Sequence, residues 1–273
     1  MTAANDQSTR VVLLGASNLT RGFPTVVNAA RSMWGPRLRI FACLGHGRSF
    51  GVPSTVLGRT LPGIIESGIW DALRSDATPR SGDTTETAKQ KTFALITDIG
   101  NDIMYGASPQ TIAGWIEQCI DRLEPHDAEI GITALPIDSI RDVRRWQYEV
   151  VRAILYPTRR ITFAQAIARA NELHDRIASL AERRGITMVA CDRTWYGFDP
   201  IHIRRRCWPD AWKKILHGGP LGSSAGEPVG KPSLMQRIYL KTRTPERWRL
   251  LGVRLGRPQP SARLPDGSTV FLY

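Results

Sequence analysis

The hydrophobic positions of the chain fall into short continuous runs that alternate with longer stretches in which apolar residues recur at helical spacing. Continuous runs of about four to eight apolar residues are typical of strands buried on both faces of a sheet. This pattern predicts five strands, at positions 11–14, 38–44, 92–99, 129–135 and 186–191. Helical spacing predicts helices at 23–33, within 55–73, and at 111–123, 141–155 and 164–184.

This alternation of strands and helices predicts the fold class. Successive strand–helix units form a parallel sheet covered by helices, with right-handed crossovers. The expected fold is therefore a three-layer α/β/α arrangement around a five-stranded, mainly parallel sheet. Within 55–73 the dipeptide Pro62-Gly63 divides the helical pattern, so we expect two short helices there. The polar stretch 75–91 predicts a surface loop.

The character of the chain changes after residue 203. We expect an α/β domain over 1–203 and a basic extension over 204–273. Within the extension, 218–231 is rich in Gly, Ser and Pro and predicts a linker. A Pro-Asp-Gly turn at 265–267, followed by an apolar run at 269–273, predicts a terminal β-hairpin. The pattern leaves open whether the extension packs on the domain.

The net charge of +12 is concentrated in this last part of the chain. Residues 203–273 carry 14 Lys and Arg against 4 Asp and Glu. Such a surface is a solvated face, a binding site for nucleic acid or an anionic membrane, or a lid over a functional site. The run Arg204-Arg205-Arg206, with Trp208 and Trp212 after it, resembles a surface that combines charge with aromatic stacking.

Composition and cysteine usage indicate a globular protein of the cytoplasm. Apolar residues make up 42% of the chain and charged residues 23%, as in ordinary globular proteins. The first nine residues are polar and lack the features of a signal peptide, and no apolar run approaches the ~20 residues of a membrane span. The four cysteines show no CxxC spacing, so neither disulfides nor a zinc site are expected: Cys43, Cys119, Cys191 and Cys207.

Ser17 is the first candidate for chemistry, because it follows the first predicted strand directly. Ligands of open α/β sheets bind at the carboxyl ends of the strands. Gly15 and Ala16 keep the exit of the strand narrow, so a serine there is well placed to act as a nucleophile. The alternative is that Ser17 is a helix N-cap, a role for which Asn18 and Thr20 also compete.

Three other segments supply the groups that a nucleophilic serine needs. His202 is a candidate base, and Asp199 can turn back to orient it across the bend at Pro200. Gly47 offers a backbone N–H and Asn101 a side-chain amide for an oxyanion, with the N–H of Ser17 as a third donor. A phosphate loop at 45–51 is disfavoured, since its glycines do not match GxGxxG.

Together these segments resemble the SGNH (GDSL-type) hydrolases. The matching motifs are Gly15-Ala16-Ser17-Asn18, Gly47-Arg48-Ser49, Gly100-Asn101-Asp102 and Asp199-Pro200-Ile201-His202. They occur in the order of the family, at strand ends. The resemblance implies a flavodoxin-like hydrolase fold in which Ser17 is the nucleophile, His202 the base and Asp199 its orienting acid. It also implies an oxyanion hole formed by Ser17, Gly47 and Asn101, and catalysis without metal or cofactor.

The first two motifs depart from the family pattern. Ala16 stands where the family usually has Asp, although that Asp is not a member of the triad. In the second motif Gly45 is an alternative to Gly47 as oxyanion donor. Gly47 is preferred because Gly-Arg-Ser is a form found in esterases of the family.

The substrate is predicted only as a class. Candidate substrate-binding residues are Arg48, Trp195, Tyr196 and Phe198, with Arg21 as a further group for an anion. The expected reaction is hydrolysis of a carboxylic ester, either a carbohydrate acetyl ester or a short acyl ester, as a small molecule. An acyltransferase or a thioesterase with the same triad is an alternative. A second alternative is a catalytically degenerate protein whose basic tail binds a polyanion or a membrane. The oligomeric state is left open.

Overall fold

The computed structural model describes residues 9–77, 90–155, 161–218 and 231–273. Most of the predicted surface loop at 75–91 and of the predicted linker at 218–231 lies outside these residues. The strands are β1 (Arg10–Leu14), β2 (Arg39–Cys43), β3 (Ser54–Val56), β4 (Arg59–Leu61), β5 (Thr92–Ile96), β6 (Ala128–Thr133), β7 (Thr187–Val189), β8 (Arg247–Leu250), β9 (Val253–Gly256), β10 (Ala262–Arg263) and β11 (Thr269–Leu272). The α-helices are α1 (Ser17–Trp34), α2 (Ile69–Ala77), α3 (Pro109–Leu123), α4 (Ile137–Arg141), α5 (Arg145–Leu155), α6 (Phe163–Arg183), α7 (Trp208–His217) and α8 (Leu234–Lys241).

The central sheet has seven strands in the order β10-β11-β2-β1-β5-β6-β7. All five predicted strands are present and parallel to one another. The predicted count of five is too low, because the hairpin at the end of the sequence joins the same sheet. Its strand β11 pairs parallel to β2, and β10 pairs antiparallel to β11.

Helices cover both faces of this sheet, which confirms the predicted three-layer α/β/α fold. Successive residues of a strand point to opposite faces. Accordingly, Val12 and Leu14 pack with α2, α3 and α6 on one face. Val11 and Leu13 pack with α1, α7 and α8 on the other. All four side chains are almost completely excluded from water.

The segment after residue 203 contributes to this core. Helix α7 packs against α1, and its Trp212 is fully buried. Helix α8 also contacts α1, and β11 extends the sheet beside β2. The last quarter of the sequence therefore supplies one side of the helical layer and one edge of the sheet.

The expectation of two short helices within 55–73 is wrong for its first half. Strands β3 and β4 form a hairpin there and belong to a second sheet of four strands, in the order β3-β4-β8-β9. The turn consists of Leu57 and Gly58, both with positive φ (50° and 75°). Two-residue hairpin turns of this kind are usually marked by Asn-Gly or Asp-Gly, so Leu-Gly gave no clear turn signal.

The predicted helix at 141–155 is also divided. Helix α4 ends at Arg141, and α5 begins only at Arg145. No helix in the described part of the chain is long and apolar enough to span a lipid bilayer.

Gly22 allows α1 and α7 to approach closely, which gives a first prediction. Alanine normally stabilises a helix relative to glycine by about 0.5–1 kcal/mol. A Cβ at position 22 would lie 2.2 Å from Nε1 of Trp212. We therefore expect Gly22→Ala to lower the free energy of unfolding by about 1–3 kcal/mol through overpacking.

The matched control is Gly114→Ala in α3, where no described atom outside the local helix backbone lies within 4 Å of the added Cβ. This variant should be stabilised by up to about 1 kcal/mol. Urea denaturation of both variants measures the difference. A Gly22→Ala protein as stable as the Gly114→Ala protein would show that α7 does not pack on α1 in this way.

Candidate active site

Ser17 lies where β1 ends and α1 begins, at the carboxyl edge of the sheet. The sheet brings the ends of three strands together there, since Leu14 is paired with Cys43 of β2 and with Ile96 of β5. Ser17 is the first residue of α1, so the helix begins six residues earlier than the pattern predicted. The N-cap position is occupied by Ala16, which has no capping side chain.

The structure brings Ser17, His202 and Asp199 into one hydrogen-bonded chain. Ser17 Oγ lies 2.8 Å from Nε2 of His202, although the two residues are 185 positions apart. Nδ1 of the same ring lies 2.6 Å from Oδ2 of Asp199. The other oxygen, Oδ1, accepts hydrogen bonds from the backbone N–H groups of Ile201 and His202, both at 3.2 Å.

The electrostatics of this chain favour an ionised carboxylate at Asp199. Burial alone would raise the pKa of Asp199. The hydrogen bonds from the His202 ring and from the two backbone N–H groups outweigh burial and hold this pKa below its ordinary value. An ionised Asp199 keeps the proton of the neutral imidazole on Nδ1, which leaves Nε2 free to accept the proton of a serine hydroxyl.

Asn18, which the sequence offered only as a possible N-cap, fixes the position of His202. Its Nδ2 donates to the backbone oxygen of Ile201, and its Oδ1 accepts from the backbone N–H of Ile203, both at 2.8 Å. One amide side chain therefore holds the backbone on both sides of His202. A second bond from Nδ2 goes to Oδ1 of Asp98, also at 2.8 Å.

Asp98 is the site residue that sequence reasoning missed altogether. Its Oδ2 accepts hydrogen bonds from the N–H groups of Ala16 (2.8 Å) and Leu19 (3.1 Å) at the start of α1. Thus a carboxylate from the end of β5 caps the helix that lacks a capping side chain of its own. Asp98 has a left-handed backbone (φ 62°), which Asp tolerates better than most residues. The only indication in the sequence was that Asp98 is an acidic residue near the end of a predicted strand.

The structure places two of the candidate oxyanion donors in one cavity and connects the segment of the second to the loop that carries Gly47. Ser17 and Asn101 line the same cavity. Nδ2 of Asn101 donates to the backbone oxygen of Arg48 at 3.0 Å, and Oη of Tyr105 donates to that of Gly47 at 2.5 Å. These contacts tie the loop that carries Gly47 to the Gly-Asn-Asp segment.

Gly45 and Gly47 differ in how strictly the fold requires glycine. Gly47 has a φ of 61°, and a Cβ there would lie 2.9 Å from Tyr105 Oη and from Val56 Cγ2. At Gly45 a Cβ would meet only the side chains of Leu61 and Arg48. The backbone therefore demands glycine at 47, whereas the role of its N–H as an oxyanion donor stays a prediction.

Asp102 holds the same loop in place through two hydrogen bonds. This fully buried carboxylate accepts hydrogen bonds from Oγ of Ser49 and, at 2.9 Å, from the N–H of Phe50. Burial raises the pKa of Asp102 to about 6, and the two hydrogen bonds oppose that rise. The Asp of the third motif thus supports the loop and does not reach the cavity.

The structure contradicts the prediction that Arg48 binds substrate. Its side chain is fully buried, and its guanidinium donates to the backbone oxygens of Leu44, Pro62 and Tyr273. Burial lowers the pKa of Arg48. The arginine therefore holds three segments of the backbone together beneath the site, where a ligand has no access to it.

The three aromatic candidates are separated by the fold. Tyr196 is buried and lines the cavity beside Ser17. Trp195 lies in the core, with the ammonium of Lys214 5.6 Å from its ring centre. Phe198 is 56% exposed and packs against Trp146 outside that cavity. Only Tyr196 is in a position to contact a molecule bound at Ser17.

The cavity beside Ser17, here called the apolar cavity, extends from the edge of the sheet to α4, α5 and α6. Its volume is about 160 Å³. Gln147, Tyr148 and Arg152 of α5 line it, but its lining is mainly apolar and includes Met104, Leu135, Ile140, Val143, Phe163 and Ile167. Arg21 lies one turn after Ser17 and faces a different cavity.

The capping role of Asp98 leads to a prediction about stability. Asp98→Ala removes the acceptor of two helix N–H groups and a partner of Asn18, so we expect the free energy of unfolding to fall by about 1–3 kcal/mol. The control is Asp71→Ala in α2, whose carboxylate is 78% exposed and pairs with Arg74 on the surface. That variant should lose less than about 0.5 kcal/mol. Equal losses in urea denaturation would contradict the capping role.

Comparison with known proteins yields structural neighbours only. No protein-family model matches the chain, and no curated protein matches it. The chain is similar to the solved structure of a GDSL-like lipase from Bacteroides thetaiotaomicron, with 11% identity, a TM-score of 0.45, and coverage of 79% of this chain and 89% of that one.

Two further solved structures are similar. One is a member of the lipolytic protein G-D-S-L family from Veillonella parvula, with 12% identity, a TM-score of 0.43, and coverage of 77% of this chain and 96% of that one. The other is a psychrotrophic esterase from Pseudoalteromonas sp., with 8% identity, a TM-score of 0.43, and coverage of 75% and 93%. The reaction of the present chain is therefore inferred from its own side chains around Ser17.

Proposed function

We propose that this protein is a serine esterase that hydrolyses a carboxylic ester through an acyl-enzyme intermediate. The observation that carries the proposal is the unbroken chain of hydrogen bonds from Ser17 Oγ through the imidazole of His202 to the carboxylate of Asp199. In such a chain the imidazole takes the hydroxyl proton, and the carboxylate orients the ring and stabilises the imidazolium.

The proposed reaction has two halves. Ser17 Oγ bonds to the carbonyl carbon while its proton passes to Nε2 of His202, and the π electrons move onto the carbonyl oxygen. When the carbonyl re-forms, the bond to the alcohol oxygen breaks, and the imidazolium gives its proton to that oxygen. Water then attacks the acyl-enzyme, passing a proton to His202. Ser17 leaves with that proton, and the carboxylic acid is released.

The transient oxyanion needs donors that already point to it. In the proposal these are the N–H of Ser17, the N–H of Gly47 and the amide of Asn101. The N–H of Ser17 belongs to the first residue of α1, where no helical acceptor exists and the helix dipole is positive. The contacts of Asn101 and Tyr105 with the loop at 47–48 support the placement of the other two donors.

The apolar cavity supports an ester with an apolar acyl chain over an acetyl ester. A cavity of about 150 Å³ lined by aliphatic and aromatic side chains holds a molecule the size of benzene. The cavity beside Ser17 is of similar volume and similar lining. We therefore propose an acyl chain of about six carbons, bound between the sheet and α6, as the preferred acid half of the substrate.

The nucleophile is tested with a fluorophosphonate probe and nitrophenyl esters. Ser17→Ala should abolish labelling, and both Ser17→Ala and His202→Ala should lower kcat by roughly 10⁴-fold or more with the fold retained. Asn101→Ala should lower kcat by about 10²–10³-fold. The control is Ser75→Ala, an exposed serine in α2, which should leave labelling and kcat unchanged. Full turnover without Ser17, or a wild-type protein that neither reacts nor turns over, would refute the proposal.

The acyl site is tested by filling the apolar cavity. Ala166 in α6 lines this cavity, whereas Ala168 in the same helix is exposed. We expect Ala166→Phe to lower kcat/KM for a hexanoyl ester about tenfold or more relative to an acetyl ester, because the new ring occupies the space of the chain. Ala168→Phe should leave the chain-length profile as it is. An unchanged profile in both variants would place the acyl group elsewhere.

A further inference from the structure

A second cavity, lined in part by the turn of α1 that follows Ser17, carries many basic side chains. It has a volume of about 610 Å³ and lies between the start of α1, the loop at 45–48, the β3–β4 hairpin and the segment after residue 203. We call it the basic cavity. Its ionisable cationic side chains are Arg21, His46, Arg59, Arg205, Lys241 and Arg243.

Among the residues that the structure describes, neither Asp nor Glu lines the basic cavity. Within the described ranges, none of its arginines and lysine forms an ion pair with a carboxylate. Nε of Arg59 is buried and has no hydrogen-bond acceptor among the described residues. Five permanent positive charges thus line one concave space to which the described residues contribute no acidic side chain.

Burial and neighbouring positive charges lower the pKa values of two of these groups. Burial lowers the pKa of Lys241, and the neighbouring charges of Arg237, Arg205 and Arg21 lower it further. The pKa of His46 is lowered by burial and then by Arg21, His202, Lys241 and Arg59. An anion in the cavity would stabilise the protonated, charged form of each group.

The basic cavity adjoins the reacting groups. Thr20 and Arg21 belong to the turn of α1 that follows Ser17, and His46 precedes Gly47 directly. His46 is also within electrostatic reach of His202, the group that must protonate the leaving oxygen. Ser17 itself lines the apolar cavity, between the sheet and α6. An ester whose acyl chain lies in the apolar cavity can direct its alcohol half toward the basic cavity, which begins at the next turn of α1.

We propose that the basic cavity binds a phosphorylated leaving group, so that the substrate is an acyl ester of a small phosphorylated alcohol. This proposal rests on the esterase function proposed above. A phosphate monoester carries a charge near −2 at neutral pH and offers several acceptor oxygens, which suit arginine guanidinium groups. The concave shape suits a small molecule, whereas a membrane surface or a duplex binds to an open face.

The test compares two esters that differ only in the phosphate. Hexanoylglycerol phosphate and hexanoylglycerol have the same acyl chain and the same scissile bond. We expect kcat/KM to be about tenfold or more higher for the phosphorylated ester, mainly through a lower KM, with the preference declining as salt is added. Inorganic phosphate and pyrophosphate should compete with the phosphorylated ester.

Two adjacent arginines provide a matched control. Arg205 and Arg206 are both exposed and occupy the same short turn, but only Arg205 lines the basic cavity. Arg205→Gln and Lys241→Gln should each lower the ratio of the two kcat/KM values about three- to tenfold. Arg206→Gln should leave the ratio unchanged. A general effect of net charge would lower the ratio equally in all three variants.

The outcomes separate this proposal from the esterase function. If the neutral ester is hydrolysed by Ser17 and the phosphate brings no preference, the basic cavity does not bind the leaving group and the esterase function stands. An equal loss in Arg205→Gln and Arg206→Gln also overturns the proposal. If neither ester is hydrolysed and the fluorophosphonate does not label Ser17, the esterase function itself is wrong.

Discussion

The carboxylate of Asp98 is the interaction on which the geometry of the candidate site depends. One of its oxygens caps α1, whose first residue is Ser17, and the other holds Asn18. Asn18 in turn forms hydrogen bonds with the backbone on both sides of His202. A single charged group at the end of β5 therefore connects the helix that carries the hydroxyl with the loop that carries the imidazole. Since both contacts are charge-assisted and partly buried, small displacements of either element are opposed.

This arrangement also explains what the sequence predicted and what it did not. The five core strands were predictable because burial on both faces leaves an unbroken apolar run. The start of α1 was not, because its cap comes from a residue about eighty positions later, and the local residue, Ala16, carries no capping group. The carboxylate of Asp98 reaches the N–H of Ala16 from the neighbouring strand.

The site residues divide in a similar way. Ser17 was predictable as a candidate because it follows a strand end, where parallel sheets collect their ligands, and Asp199 and His202 were predictable as a pair because a compact bend joins them. Arg48 and Trp195 lie close to such positions in sequence, but their side chains turn inward and are buried. Sequence adjacency to a site does not fix the direction of a side chain. That direction depends on long-range packing. For Arg48 it depends on the backbone oxygens of Leu44, Pro62 and Tyr273, which surround its guanidinium group.

The distribution of charge follows from the topology. The basic residues after residue 203 are distant from Ser17 in the sequence, yet β11 pairs with β2 and α8 packs on α1, so this segment returns to the carboxyl edge of the sheet. Three of the six cationic residues of the basic cavity come from it: Arg205, Lys241 and Arg243. Gathering like charges in one concavity costs folding free energy. In the proposal, an anionic substrate offsets this cost when it binds, so the same charges that weaken the free fold select the leaving group.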